Sequence, residues 1–282
     1  MPGVRFVTDS TADLQPEYRA EKRIITVPLK VLFGEESLVD GVDIDAAGFY
    51  ERMRTSDKNP TTSQPTPAEF EAAFREAAAD GSSVVCTTMS ADMSGTHGSA
   101  LAAREAVADL DVTVIDTRTV AVGHYNIVRA AVARADSGGT RDEVIEAVHD
   151  GVRRERAVFT VATLEYLRRG GRIGGGRALL GSVLNIKPIL QVFEGHIDAY
   201  DKVRTNQRAL ERIADELISA VGESGKRAVA VVGHADRLDD AQQLLERVAP
   251  HCETEPGLIF IGPIVGCHAG PGCLGLSFHL AN

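Results

Sequence analysis

The stretch SSVVCTTMS (82–90) and the two segments after it, SALAAREAVADL (99–110) and VTVIDT (112–117), decide the fold class. The first and third segments are apolar and β-branched, and the second has the apolar spacing of a helix. This strand–helix–strand order predicts parallel strands joined by right-handed crossovers. Farther out, PAEFEAAFREAAAD (67–80) predicts another helix, and IITVPLKVLF (24–33) predicts an edge or irregular strand because it contains a proline. We therefore predict an N-terminal α/β domain with a parallel, Rossmann-like sheet.

The pattern changes after about residue 155. KPILQVF (187–193) and HIDAYDKV (196–203) flank a two-residue Glu-Gly turn, which predicts a hairpin. LIFIGPIVGCHAGPGCLGLSFHL (258–280) predicts two strands around a Gly/Pro loop. A hairpin with helices on one face predicts an α+β sandwich with a mixed or antiparallel sheet. The overall prediction is an α/β protein of two domains, 1–155 and 156–282.

Composition excludes several classes of protein. The 282 residues carry a net charge of −10, contain no Trp and include only 5% aromatic residues, which argues against a nucleic-acid partner. No apolar run approaches the ~20 residues of a membrane span, and the first ten residues lack the apolar core of a secretory signal. We expect a cytoplasmic protein with four reduced, structural cysteines, no metal site and no cofactor.

Hydroxyl-rich segments follow predicted strands at 8–11, 61–64 and 90–96. Ligands of open α/β sheets bind beyond the carboxyl ends of the strands, and hydroxyls beside free backbone N–H groups suit an oxyanion. The alternative interpretation is that these residues only cap helices. Asp9 and Asp116 end predicted strands, and we expect them to hold loops or to order hydroxyls.

Two glycine-rich segments raise separate questions. His268 stands in VGCHAGPGCLG (265–275), where glycines predict a sharp bend that brings the imidazole to a place most residues would block. The alternative is an ordinary turn histidine.

GGRIGGG (170–176) is not a dinucleotide fingerprint, because a helical segment and not a strand precedes it. Arginines in and around it form a basic cluster that is either solvated or docks a partner.

Short motifs occur along nearly the whole chain: TDSTADL (8–14), TTSQPTPAEF (61–70), SGTHGSA (94–100), VIDT (114–117), LEYLRRGGRIGG (164–175), LGSVLNIKPIL (180–190), VRT (203–205) and GCHAGPGCLG (266–275). In this order and combination they resemble the DegV family of bacterial fatty acid-binding proteins. The last motif departs from the usual Gly-Thr-His-Thr-Gly form at Cys267 and Ala269, which implies fewer hydrogen bonds around His268. His97 stands where an aromatic residue is frequent.

The resemblance implies two α/β domains that hold one long-chain fatty acid in a tunnel between them. It implies that hydroxyls, one histidine and adjoining backbone bind the carboxylate; the matching positions are Thr62, Ser63, Ser94, Gly95, Thr96 and His268. Arg172 and Arg204 match positions that dock a separate fatty acid kinase subunit. That kinase converts the bound fatty acid to an acyl phosphate for phospholipid synthesis, so the resemblance implies a lipid carrier that is not itself an enzyme. It also allows a transient contact with a membrane surface.

Two other hypotheses remain open from the residues. Ser94 and His268 could serve a hydrolase or a phosphotransferase, which would require them to be within hydrogen-bond reach of each other and a third group to orient the histidine. The arginine cluster could instead belong to a regulator that binds a protein partner. The motifs do not set the length or unsaturation of the acyl chain.

Overall fold

The computed structural model describes residues 3–179 and 186–281. Its strands are β1 (Val4–Asp9), β2 (Ile25–Val27), β3 (Lys30–Phe33), β4 (Glu36–Val39), β5 (Thr61–Ser63), β6 (Ser83–Thr88), β7 (Val112–Asp116), β8 (Arg156–Thr160), β9 (Lys187–Phe193), β10 (His196–Val203), β11 (Ala228–His234), β12 (Gly257–Phe260) and β13 (Leu274–Leu280). Its α-helices are α1 (Pro16–Lys22), α2 (Ala46–Thr55), α3 (Pro67–Ala77), α4 (Thr96–Ala106), α5 (Val122–Asp136), α6 (Arg141–Arg154), α7 (Glu165–Arg169), α8 (Asn206–Ser224), α9 (Leu238–Val248) and α10 (Pro263–Ala269). Part of the motif at 180–190 lies outside the described residues.

The first sheet is parallel, as the strand–helix alternation predicts. Its order is β2-β1-β6-β7, and every neighbouring pair is parallel. Val84, Val85 and Cys86 of the central strand β6 are fully buried, which fits the continuous apolar run of a strand covered on both faces. The carboxyl ends of β1, β6 and β7 therefore meet at one edge of the sheet.

The second sheet is mixed, as predicted. Its order is β10-β9-β8-β13-β11-β12, and only β11 and β12 pair in parallel. Helices α8 and α9 share a buried apolar cluster with it, in which Leu217 and Leu244 pack with Val232 and Phe278. This cluster covers one face of the sheet.

Helices α5 and α6 lie between the two sheets. Ile127 of α5 and Val148 of α6 belong to one buried cluster with Val85 of the first sheet and Val231 of the second. The strands of the first sheet end at Asp116 and those of the second begin at Arg156. The domain limits 1–155 and 156–282 stay a prediction, because α5 and α6 pack against strands of both sheets.

Two segments differ from their predicted structure. The run 24–33 is not one strand: β2 joins the first sheet, and after Pro28 the chain continues as β3 in a three-stranded antiparallel sheet, β4-β3-β5. A proline cannot donate a ladder hydrogen bond, so the pairing changes there. The Gly/Pro loop predicted within 258–280 contains the short helix α10. It begins at Pro263 and ends at Ala269, and the next residue, Gly270, has a φ of 76°.

Candidate functional site

An apolar cavity lies between the segments that follow β6 and β7 and strands of the second sheet. It encloses about 830 Å³, counting the open space at its mouth. Its apolar lining comes from both halves of the chain: Leu29, Met89, Met93, Val120, Ala121, Val122, Ala157, Phe159, Leu167, Val192, Ile197, Ile261, Ile264, Val265, Ala269, Cys273 and Gly275. The remaining lining residues carry hydroxyl, guanidinium or imidazole groups, namely Thr62, Ser94, Arg172 and His268. The cavity is thus apolar along most of its wall and polar at one place.

His268 occupies the last turn of α10 and faces the small three-stranded sheet. Its Nε2 lies 2.9 Å from the Thr62 Oγ1, whereas its Nδ1 is buried without a hydrogen-bond partner in the described part of the chain. Burial, with the nearby Arg172 guanidinium, lowers the pKa of His268 to about 4. The ring is therefore neutral at pH 7 and offers one N–H donor.

Strand alternation gives the three hydroxyl residues of β5 different surroundings. Thr62 is half-buried and lines the cavity, while Thr61 and Ser63 on either side of it are exposed. The Ser63 hydroxyl donates to the Gln64 carbonyl at 3.3 Å, and Ser63 is not among the residues that line the cavity. Three of the four residues in 61–64 form β5 of the small sheet, so our prediction that this segment follows a strand of the parallel sheet was wrong.

The segment after β6 places Ser94 at the polar part of the cavity. Its Oγ lies 2.8 Å from the Thr96 Oγ1 and accepts a hydrogen bond from the Thr96 N–H at 3.3 Å. Gly95 is the N-cap of α4, and a Cβ there would come within 2.2 Å of the Gln64 Oε1. Gly95 thus lets the hydroxyl segments at 61–64 and 90–96 approach each other.

The two arginines assigned to partner docking occupy different surroundings. Arg172 stands at the cavity mouth, where its Nε donates to the Met93 carbonyl at 3.0 Å and its Nη1 to the Gly170 carbonyl at 2.6 Å. Arg204 is exposed between β10 and α8 and does not line the cavity. The structure brings Arg172, and not Arg204, to the histidine.

The arrangement required for Ser–His catalysis is not formed among the described residues. The Ser94 hydroxyl pairs with Thr96, and the His268 Nε2 pairs with Thr62. No described carboxylate contacts the His268 Nδ1, which would be the orienting contact in a triad. Nothing in this geometry favours the hydrolase or phosphotransferase hypothesis.

Hydrogen bonds to Asp9 and Asp116 support the loop that carries Met93 and Ser94. The Asp9 Oδ2 accepts the Met89 N–H at 2.7 Å, and its Oδ1 accepts the Thr11 hydroxyl at 2.6 Å. The Asp116 Oδ1 accepts the Ala91 N–H at 3.2 Å. These contacts confirm that both aspartates hold loops. Sequence reasoning missed His124, which is fully buried with its Nε2 3.1 Å from the Thr8 Oγ1.

The described residues contain no cluster of His, Cys, Asp or Glu that could hold a metal ion. The four cysteines are buried and unpaired. Among the helices of residues 3–179 and 186–281, none is long and apolar enough to cross a membrane.

Comparison with known proteins decides the family. Residues 4–280 match the model of a family described as "Uncharacterised protein, DegV family". The chain belongs to the DegV family. A DegV domain-containing protein of Halalkalibacterium halodurans is 36% identical over 282 residues, which cover 99% of each chain. The resemblance stated from the motifs is therefore confirmed.

Solved structures of DegV proteins share the whole fold. A fatty acid-binding DegV protein from Thermus thermophilus has a TM-score of 0.93 at 32% identity, with 99% of this chain and 100% of that chain covered. DegV of Bacillus subtilis, described as a fatty acid-binding protein, has a TM-score of 0.89 at 31% identity, with 100% of both chains covered. A stearic acid-binding protein from Eubacterium ventriosum has a TM-score of 0.90 at 26% identity, with 98% of both chains covered. The two-part α/β architecture is that of the family.

Proposed function

We propose that this DegV protein binds one long-chain fatty acid in the apolar cavity, with its carboxylate at Thr62, Ser94 and His268. The observation that carries the proposal is a cavity whose lining is apolar except for a few polar groups that include these three. Its apolar residues come from loops that follow strands of the first sheet and from strands of the second sheet. An amphipathic ligand with one polar tip matches that distribution. Related DegV proteins are described as fatty acid-binding, which supports the same ligand class here.

The acyl chain supplies most of the binding free energy. Burial of ~14 methylene groups at ~0.8 kcal/mol each gives on the order of 11 kcal/mol before the costs of ordering. This gain is available only if the chain enters a preformed apolar site, and the lining of the cavity is apolar apart from the polar groups already named.

The carboxylate needs hydrogen bonds because an unpaired buried charge costs several kcal/mol. The Ser94 hydroxyl supplies one donor. The hydrogen bond between Thr62 and His268 uses one of their two protons, so this pair supplies one further donor, either the Thr62 hydroxyl or a ring N–H. Arg172 supplies the positive charge, since it stands beside His268 at the mouth. Thr96 and Gly95 hold Ser94 in place, whereas Ser63 faces away and has no direct contact in this arrangement.

In this proposal a separate kinase subunit does the chemistry. A carboxylate oxygen of the bound fatty acid attacks the γ-phosphorus of ATP held by the kinase, the bond to the ADP oxygen breaks, and acyl phosphate and ADP are formed. The carrier acts in the cytoplasm, needs no cofactor, supplies acyl phosphate for phospholipid synthesis and meets the membrane surface only transiently. Arg172 and Arg204 contact the kinase.

Solvent extraction of the purified protein followed by mass spectrometry tests the lipid. We expect about one long-chain fatty acid per chain, and binding of added palmitate after delipidation. An extract without fatty acid, together with no binding of palmitate or oleate, would reject the proposal. For the kinase half, Arg204→Glu should reduce acyl phosphate formation by added kinase and ATP while palmitate binding is kept. Arg208→Glu, four residues along, is the matched control.

A further inference from the structure

A second, polar cavity adjoins the acyl cavity at His268. It encloses about 780 Å³, counting its open mouth, and is lined by residues that include Asn59, Tyr166, Arg169 and Gly170. The two cavities share three lining residues, Thr62, Arg172 and His268. A group bound in the polar cavity would therefore be next to the head group of a ligand in the acyl cavity.

The wall of the polar cavity is basic although the chain as a whole is acidic. Arg169 and Arg172 line it, and no described aspartate or glutamate does. Arg172 has no carboxylate partner within 4 Å in the described residues, and its two hydrogen bonds go to backbone carbonyls through Nε and Nη1. Its Nη2 donors are thus left for another acceptor.

Neighbouring residues hold Arg169 in position. Its Nε donates to the Glu165 carboxylate at 3.2 Å, its Nη1 donates to the Asn59 Oδ1, and its guanidinium lies over the Tyr166 ring at 5.5 Å. Glu165 also pairs with Arg168, so Glu165, Arg168 and Arg169 together carry a net charge of +1. These contacts hold the positive charge of Arg169 in place, which favours the binding of an anion.

The unpaired imidazole nitrogen of His268 is buried at the wall of the same cavity. A Cβ on Gly170 would lie 2.1 Å from the His268 Nδ1, so this nitrogen lies against Gly170, which lines the polar cavity and not the acyl cavity. When the Nε2 accepts from the Thr62 hydroxyl, the Nδ1 carries the proton and is a buried donor without a partner in the described chain. Buried donors rarely remain unpaired.

We propose that the polar cavity is a binding subsite for a tetrahedral oxyanion of the phosphate class, held by Arg169 and Arg172 next to the imidazole of His268. The shared wall places the oxyanion beside the carboxylate position, so the subsite fits the phosphate group of an acyl phosphate whose chain stays in the acyl cavity. A free phosphate ion has the same chemistry. The assignment of the oxyanion to an acyl phosphate rests on the proposed function.

The test compares two neighbouring arginines. Arg169 and Arg168 both pair with Glu165 and are similarly exposed, but only Arg169 lines the polar cavity. The probe is 2-oxoheptadecylphosphonate, in which a methylene group replaces the bridging oxygen of palmitoyl phosphate. We expect Arg169→Gln to bind this probe about tenfold more weakly, as for a lost charge-assisted hydrogen bond. It should bind palmitate within about twofold of the unsubstituted protein.

Arg168→Gln should change neither affinity, and Arg169→Lys should recover part of the phosphonate affinity. If palmitate binds and the phosphonate affinity of Arg169→Gln equals that of Arg168→Gln, the subsite is rejected. If palmitate does not bind at all, the proposed function fails, and inorganic phosphate titrated into the lipid-free protein decides the subsite alone. Weaker phosphate binding in Arg169→Gln than in Arg168→Gln then supports it, and equal binding rejects it.

Discussion

The position of the His268 imidazole depends on a residue without a side chain. Gly170 has a φ of −71°, which any residue can adopt, so the backbone conformation does not require glycine at this position. It is required by space, because a Cβ would overlap the His268 Nδ1. The glycine-rich segment 170–176 therefore contributes to the site by allowing close approach of the histidine, and not by binding a nucleotide.

The Thr62 hydroxyl is the partner that fixes the His268 ring, so its removal should weaken ligand binding. Thr62→Val keeps the shape of the side chain but leaves the Nε2 unpaired and removes a donor to the carboxylate. We expect palmitate affinity to fall about tenfold, equivalent to ~1.4 kcal/mol. Titration calorimetry measures the change. Ser63→Ala is the matched control, since its hydroxyl bonds to Gln64. An equal loss in both variants would show that Thr62 has no special role.

Protonation of His268 should make stability depend on pH. The pKa of His268 is lowered to about 4 from 6.5, so between these values the unfolded chain binds a proton that the folded chain does not. Stability from this group is complete above pH 6.5 and is lost as pH falls toward 4, by up to roughly 3 kcal/mol.

Urea unfolding of the lipid-free protein from pH 7 to pH 4 measures this loss. We compare it with His268→Gln, in which the contribution is absent and the other buried histidines still titrate. The difference in unfolding free energy between the two proteins should shrink as the pH falls. A difference that stays constant over this range would contradict the assignment.

At the residue scale, the motifs predicted the groups that line the cavity better than those that support them. Thr62, Ser94 and His268 line the same cavity although 32 to 206 positions separate them in sequence. The motif resemblance could identify them because each one stands in a short motif that is visible in the sequence. Asn59 and His124 act through contacts that exist only in the folded chain. No local pattern marks such residues, so the sequence could not reveal them.

Helix α4 begins at the site and contains Gly98, although neither packing nor backbone conformation requires a glycine there. Gly98 is exposed, and a Cβ there would meet nothing within 4 Å. Gly98→Ala should stabilise the protein by about 0.5–1 kcal/mol, because alanine loses less backbone entropy on folding. Thermal unfolding measures the gain, and palmitate affinity should stay unchanged. A destabilised variant would mean that Gly98 has a role that its surroundings do not show.

At the element scale, long periodic segments were predicted well and short ones were not. Helix α3, predicted from 67–80, has a capping box and a regular apolar face, so its position follows from local sequence. Helices α6 and α8 also begin with a side-chain cap. The short strand β5 and helix α10 are stabilised by packing instead: Cys267 of α10 donates to the Pro60 carbonyl at 3.0 Å. Such tertiary contacts outweigh local propensity in elements of three to seven residues.

At the scale of the whole molecule, the candidate site exists only where the two sheets meet. One buried cluster joins Leu29 and Met93 from the N-terminal part with Leu190 and Ile264 from the C-terminal part. The parallel pairing in the first sheet follows from the alternation of strands and helices. How the second sheet faces the first depends on packing at α5 and α6, which a single sequence does not specify.

A ligand in this position contacts both halves, so its binding should stabilise the folded molecule as a unit. At a free palmitate concentration of 100 times the dissociation constant, mass action adds about 2.7 kcal/mol. For a chain of this size the Tm should rise by roughly 5 °C. Differential scanning calorimetry of delipidated protein, with palmitate kept below its aggregation concentration, measures the shift. Octanoate at the same concentration is the control: it buries eight fewer methylene groups and forgoes ~6 kcal/mol of transfer free energy, so we expect no measurable shift. Equal shifts with both acids would indicate a surface effect and contradict enclosure of the acyl chain between the sheets.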